Sequence, residues 1–195
     1  MSIFAKGGNN MSPLEKLRRS SHELSSPASV AICGMLLALR VVLGYYANFT
    51  LAAFPGVKFS LVFIPTAICG MILGPVPTAI MGGCGDMLSF FLNSTGGAYF
   101  PGWTINAALS GLVYGMLLYK NNATLPRVII SKLIITIFVE LLLGTFWLTV
   151  QYGFPYFEYL AARALKQLVT TPFEIIVIFS LVSVVKKAKL VRAKT

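Results

Sequence analysis

The chain has 195 residues, of which 56% are hydrophobic and only 11% charged, with a mean hydropathy of +0.79. Such a chain has lipid as its main solvent, which excludes an ordinary soluble enzyme. The formal net charge of +10 is not the signature of a nucleic-acid binder, because the basic residues gather at the termini and in one internal connection, where they orient membrane proteins.

Residues 1–27 form a polar N-terminal segment holding Lys6, Lys16, Arg18 and Arg19. An amphipathic stretch around Pro13 to Leu24 is ambiguous in structure. The segment lacks the apolar core and small-residue cleavage site of a secretory signal, so it is expected to be retained. A hydrocarbon core of about 30 Å takes roughly 20 helical residues, and the apolar runs divide into six predicted spans: residues 28–47, 58–73, 75–93, 102–119, 127–150 and 157–185. Gly74-Pro75-Val76-Pro77 punctuates the second and third, because proline lacks an amide donor and restricts the residue before it. Lys120 to Arg127 separates the fourth and fifth, with Pro126 suited to a first helical turn. Residues 186–195 are a basic tail. The expected fold is an all-α integral membrane protein: a six-helix bundle over residues 28–185 with both termini on one side.

The positive-inside rule makes that side the cytoplasm, since the basic groups before span one, around the fourth connection and after span six all fall there. The outward connections are then residues 48–57, 94–101 and 151–156, which have no Lys or Arg and are rich in Tyr, Phe, Gly and Pro. Among them Gly96-Gly-Ala-Tyr-Phe-Pro-Gly-Trp-Thr-Ile-Asn106 concentrates glycine, aromatics and hydrogen-bonding side chains at the mouth of span four.

Polar residues inside the spans are the second signal, because an ionisable group at mid-bilayer costs about 2.5–3.5 kcal/mol on insertion scales and faces protein or a wet cavity. At about 1.5 Å per residue, Arg40 lies roughly 18 Å, Asp86 roughly 16 Å and Glu140 roughly 20 Å above the cytoplasmic start of their spans. Arg163 and Lys166 lie about 9 and 14 Å below the outer end of span six. Arg163, Lys166, Gln167, Thr170 and Glu174 follow helical spacing and form one polar stripe, beside which Pro172 is expected to kink the helix. Two readings stay open: internal ion pairs that hold the bundle, or a cavity for an anionic ligand with a flat ring.

Small-residue pairs mark close helix approach. Gly70/Gly74 and Gly111/Gly115 read as internal packing, whereas Ala31, Gly34 and Ala38 share one face of span one. Cys33, Cys69 and Cys84 have no metal-binding or disulfide pattern and read as small packing residues. With a single histidine, His22, and no phosphate-loop, zinc-protease or nucleophile-elbow motif, no catalytic residue, metal or cofactor is expected. A membrane-embedded enzyme using Asp86 and Glu140 is the distant alternative.

Met35-Leu-Leu-Ala-Leu-Arg-Val-Val-Leu-Gly44, Gly70-Met-Ile-Leu-Gly-Pro-Val76, Gly82 to Asp86, and Gly96-Gly-Ala-Tyr-Phe-Pro-Gly-Trp-Thr104 followed by Ala107 to Gly115 make the chain similar to a known family. It resembles the folate-family S components of energy-coupling factor (ECF) vitamin transporters, over residues 28–185. The resemblance implies a substrate-binding subunit of the bacterial cytoplasmic membrane that captures a vitamin from outside. It also implies docking on a transmembrane coupling protein through Ala31, Gly34 and Ala38, and ATP hydrolysis by two partner ATPases. For a folate ligand, Asp86 or Asn106 is expected to hydrogen-bond the pterin, and Tyr99, Phe100 and Trp103 to close over the rings. Arg40, Arg163 or Lys166, with Lys58 a further candidate, is expected to meet carboxylate. Gly96, Gly97 and Gly102 are the expected hinges of a lid. An S component for another vitamin or precursor, such as pantothenate, is the alternative within the family.

Overall fold

The computed structural model describes residues 12–46, 48–50, 58–92, 99–119, 125–153 and 155–192, with the side chains of 48–50, 58–60 and 184–192 outside the description. The elements are α1 (Pro13–Glu23), α2 (Pro27–Tyr46), β1 (Asn48–Thr50), β2 (Lys58–Ser60), α3 (Phe63–Ile72), α4 (Pro75–Leu92) and α5 (Pro101–Leu118). They continue with α6 (Leu125–Ile134), a π-helical segment (Ile135–Leu143), α7 (Gly144–Tyr152) and α8 (Tyr156–Arg192). The helical reading therefore holds, with one short antiparallel ribbon between α2 and α3.

The ambiguous stretch after residue 12 is a helix, started by a capping box in which Ser12 Oγ accepts from Glu15 N–H and the Glu15 carboxylate accepts from Ser12 N–H. Its polar face turns inward. Ser20 Oγ accepts from Val76 N–H at 2.8 Å, Lys16 Nζ donates to Met116 O at 3.0 Å, and Tyr119 Oη donates to Glu23 Oε1 at 3.1 Å. So α1 satisfies one orphan amide at the start of α4 and one orphan carbonyl at the end of α5, groups that a helix leaves unpaired. Leu14 remains 78% exposed on the other face.

Among the described residues three helices are long and apolar enough to cross a membrane: Pro27–Tyr46, Leu125–Tyr152 and Tyr156–Ser183. The second expected span needs correction. Residues 58–60 are strand β2, paired with β1 in the register Asn48↔Ser60 and Thr50↔Lys58, so the backbone there is bonded sideways and helix begins only at Phe63. The ten residues of α3 rise only about 15 Å. The expected turn at Gly74 is present: Gly74 has φ of 92°, which a side chain resists, and Pro75 already opens α4. Pro172 lies within α8, which continues through it to Arg192.

The closest helix pairing is α4 with α5. A Cβ on Gly82 would run into Ala107 O, one on Gly111 into Thr78 O, and one on Gly115 into Pro75. The spacing Gly111/Gly115 is thus internal packing, as is Gly70, whose Cβ would fall 2.9 Å from Gly115 N. By contrast a Cβ on Gly34 meets nothing within 4 Å among the described residues, and Ala31, Gly34 and Ala38 are all exposed. One apolar core (Ala67, Met71, Tyr114, Leu118, Val128, Ile135, Val139, Ile178, Val182) joins α3, α5, α6, the π segment and α8. A smaller one packs Cys69, Leu73 and Met81 against Cys33, Leu36 and Leu37, giving two of the cysteines the packing role expected of them. Cys84 is exposed. Large apolar side chains such as Met35, Phe91, Leu168 and Val169 point outward, a surface suited to lipid.

Candidate functional site

A cavity of about 270 Å³ opens between α2, α3, α5, the π segment and α8. Its charged lining comprises Arg40, Arg163 and Lys166 against Glu140 and Glu174; Thr66, Ser110, Tyr114, Gln167 and Thr170 add hydrogen-bonding groups, and Val62, Phe63, Ala107 and Ile135 apolar wall. The polar stripe of α8 faces this space in full. Tyr114 Oη is buried in the lining without a hydrogen-bond partner among the described residues, which costs about 1–3 kcal/mol unless something fills the site.

Both arginines are held by local architecture. Arg40 is 8% exposed, and its Nη1 donates to Thr66 Oγ1 at 2.5 Å, while that hydroxyl donates onward to Val62 O. Its stem lies against Gly85, where a Cβ would sit 2.6 Å from Nε and 2.7 Å from Cδ. Arg163 Nη1 donates to Gly144 O at 3.1 Å, a Cβ on Gly144 would fall 2.9 Å from its Nη2, and its Cζ stands 5.9 Å from the centre of the Trp103 ring. Each guanidinium thus occupies a space left by a glycine on the facing helix.

Behind the wall lies a network that sequence reasoning missed. Lys132, 1% exposed, places Nζ 3.0 Å from Glu140 Oε1 and pairs with Glu174 Oε2 as well. Gln167 Nε2 donates to Glu140 Oε2 at 2.5 Å and its Oε1 accepts from Thr170. Lys132 lies five residues beyond Arg127, where a lysine reads as one more interfacial cation. In an α-helix eight residues overshoot two turns by about 80°; the slower-winding π turns from Ile135 bring Glu140 back over Lys132.

The remaining expected site residues are engaged by protein groups beside the cavity. Asp86 Oδ2 accepts from Thr104 Oγ1 at 2.8 Å, and Tyr99 Oη, 2.5 Å from that hydroxyl, donates to it because its proton is already committed. Asn106 uses both ends of its amide: Nδ2 donates to Val139 O and Oδ1 accepts from Trp147 Nε1. Trp103 Nε1 donates to Gln151 Oε1 at 3.0 Å. Phe100 meets Trp147 edge-on with centroids 5.6 Å apart, and Gly102 makes room for both rings. Trp147, not singled out from the sequence, is thus the hub of this aromatic cluster. The structure unites Arg40, Arg163 and Lys166 at the cavity and gathers Tyr99, Phe100, Trp103 and Asn106 at the start of α5. Gly96 and Gly97 lie outside the described residues, as does the side chain of Lys58, whose backbone belongs to β2.

A model of the family described as ECF transporter, substrate-specific component, matches residues 28–186. A relative named folate transporter FolT, from Clostridium novyi (strain NT), is 31% identical over 144 residues, covering 74% of this chain and 81% of the relative. The crystal structure of FolT bound with folic acid aligns with a TM-score of 0.73 at 32% identity, over 81% of this chain and 94% of that one.

Proposed function

The chain belongs to the substrate-specific components of ECF transporters, and from that membership we propose that it binds folate and delivers it to an ECF-type importer. It is a transport component, not an enzyme. The observation that carries the ligand is the cavity. Folic acid ends in a glutamate with two carboxylates, and three cations stand on the lining against two carboxylates that a buried lysine already engages. Similarity to FolT, one structure of which holds folic acid, supports the same choice.

In this reading Arg40, Arg163 and Lys166 meet the glutamate carboxylates, as charge-assisted bonds in a space of low polarity. Tyr99, Phe100 and Trp103 close over the rings from the start of α5, and Asp86 or Asn106 meets the pterin after exchanging a present partner. Lys58 is a further cation for the carboxylates. Six helices embed in the bacterial cytoplasmic membrane with both termini in the cytoplasm, α3 being short because its outer end is capped by the ribbon. The exposed face of Ala31, Gly34 and Ala38 docks on the transmembrane coupling protein, and two ATPases supply the energy. The test is tritiated folate binding to the purified protein with excess pantothenate, riboflavin or thiamine as competitors. Saturable binding that none of the three displaces is expected; no folate binding sinks the assignment.

A further inference from the structure

We infer that Lys132 is the positioning residue that sets the charge of the ligand cavity, although it does not line it. The inference rests on the anionic-ligand reading above and goes beyond it by naming what keeps the cavity cationic. Glu140 and Glu174 both border the space, with side chains 32% and 14% exposed, and left to themselves they would offer counter-charges to the lining cations. Lys132 draws both carboxylates to one ammonium from behind the wall, and Gln167 holds the second oxygen of Glu140.

The geometry agrees at the arginine. Arg163 directs Nη1 to Gly144 O and its flat face to Trp103, so its hydrogen bond goes to a backbone carbonyl, and Glu140 acts on it only through space. The network uses one lysine to engage two carboxylates. It therefore adds a positive charge beside the cavity and also fixes where the negative ones point. In a cavity of low effective dielectric one such charge changes ion preference strongly.

A ligand-independent reading of the cavity tests this. In the full-length protein carrying Cys33→Ala, Cys69→Ala and Cys84→Ala, Ser110→Cys places a thiol on the lining. Its rates of modification by an anionic and a cationic methanethiosulfonate give an anion-to-cation ratio that reports local potential. Lys132→Met should lower the ratio by about tenfold or more, and Lys132→Met/Glu174→Gln should bring it back to the starting value. If Lys132→Met does not fold, the Glu174→Gln single variant against that double variant isolates the same charge: the single should show the higher ratio. Equal ratios in either comparison overturn the inference.

In parallel, tritiated folic acid and pteroic acid, which has one carboxylate in place of two, are bound to the same proteins without Ser110→Cys. Lys132→Met should weaken folic acid more than pteroic acid, whereas a purely structural role weakens both alike, and that outcome also counts against the inference. Failure of the unsubstituted protein to bind folic acid defeats the folate reading alone, and the thiol ratio then decides the role of Lys132.

Discussion

In the proposed site Arg40 reaches a ligand carboxylate only if Gly85 leaves room for its stem, so substitutions two residues apart on α4 should have opposite effects. A Cβ on Gly85 lies 2.6 Å from Arg40 Nε, 2.7 Å from Cδ and 3.2 Å from Leu37 Cδ1, so Gly85→Ala forces the arginine aside. A Cβ on Gly83 has Thr104 Cγ2 at 3.6 Å as its nearest neighbour, an ordinary contact. Overpacking costs about 1–3 kcal/mol, and losing the Arg40–Thr66 bond about 1.5–3 kcal/mol more. The gain from replacing a helical glycine, about 0.5–1 kcal/mol, offsets only part of this. Gly85→Ala should melt several degrees lower in detergent, and losing one charge-assisted contact to ligand should weaken folate binding about ten- to a hundredfold. Gly83→Ala should melt at or above the parent temperature and bind normally. Tritiated folate titration with parallel melting curves decides the matter. Parent affinity in Gly85→Ala would refute the argument that Gly85 positions a ligand-binding Arg40.

The other predictions concern the opposite end of the bundle and the exposed face of α2. Ser20→Ala removes the cap on Val76 N–H and should lower stability by about 1 kcal/mol, measured by melting, with folate affinity unchanged. Gly74→Ala combines φ of 92° with a Cβ 2.8 Å from Ser20 Cβ, so it should destabilise more than Ser20→Ala in the same assay. Burial, with a smaller contribution from Arg127, holds the Lys16 ammonium below its usual lysine range. A cation whose folded value is lowered is disfavoured by folding while protonated, so stability should rise as pH climbs through the folded value toward the unfolded one. Melting curves at alkaline pH should show that rise, and Lys16→Met should lack it. A Cβ on Gly34 meets nothing within 4 Å among the described residues, so Gly34→Leu should leave melting and folate binding intact while abolishing uptake in cells that supply the partner subunits.

Composition and charge were enough to identify a lipid-embedded helical chain, because transfer into the bilayer is a sum over residues and needs no knowledge of contacts. The starts of α4 and α6 were legible for a local reason: Pro75 and Pro126 each stand in a first helical turn. The α8 stripe was legible too, since a helix converts spacing directly into a face. Where backbone pairing was non-local the sequence misled, and residues 58–60 look like apolar helix until β1 is placed beside them.

The cavity depended on tertiary structure throughout. Arg40 and Arg163 announce themselves as buried charges, but only packing reveals that Gly85 and Gly144 receive them. Asp86 and Asn106 look equally available in the sequence, and their commitment to Thr104, Val139 and Trp147 is a matter of which helices touch. Lys132 is the clearest case. Its role follows from a π-helical change of phase and from Glu174 on another helix, and neither leaves a mark on the residues around it. Residue type determined which charges the membrane had to shelter; the packing of five elements around one space decided which of them line the cavity.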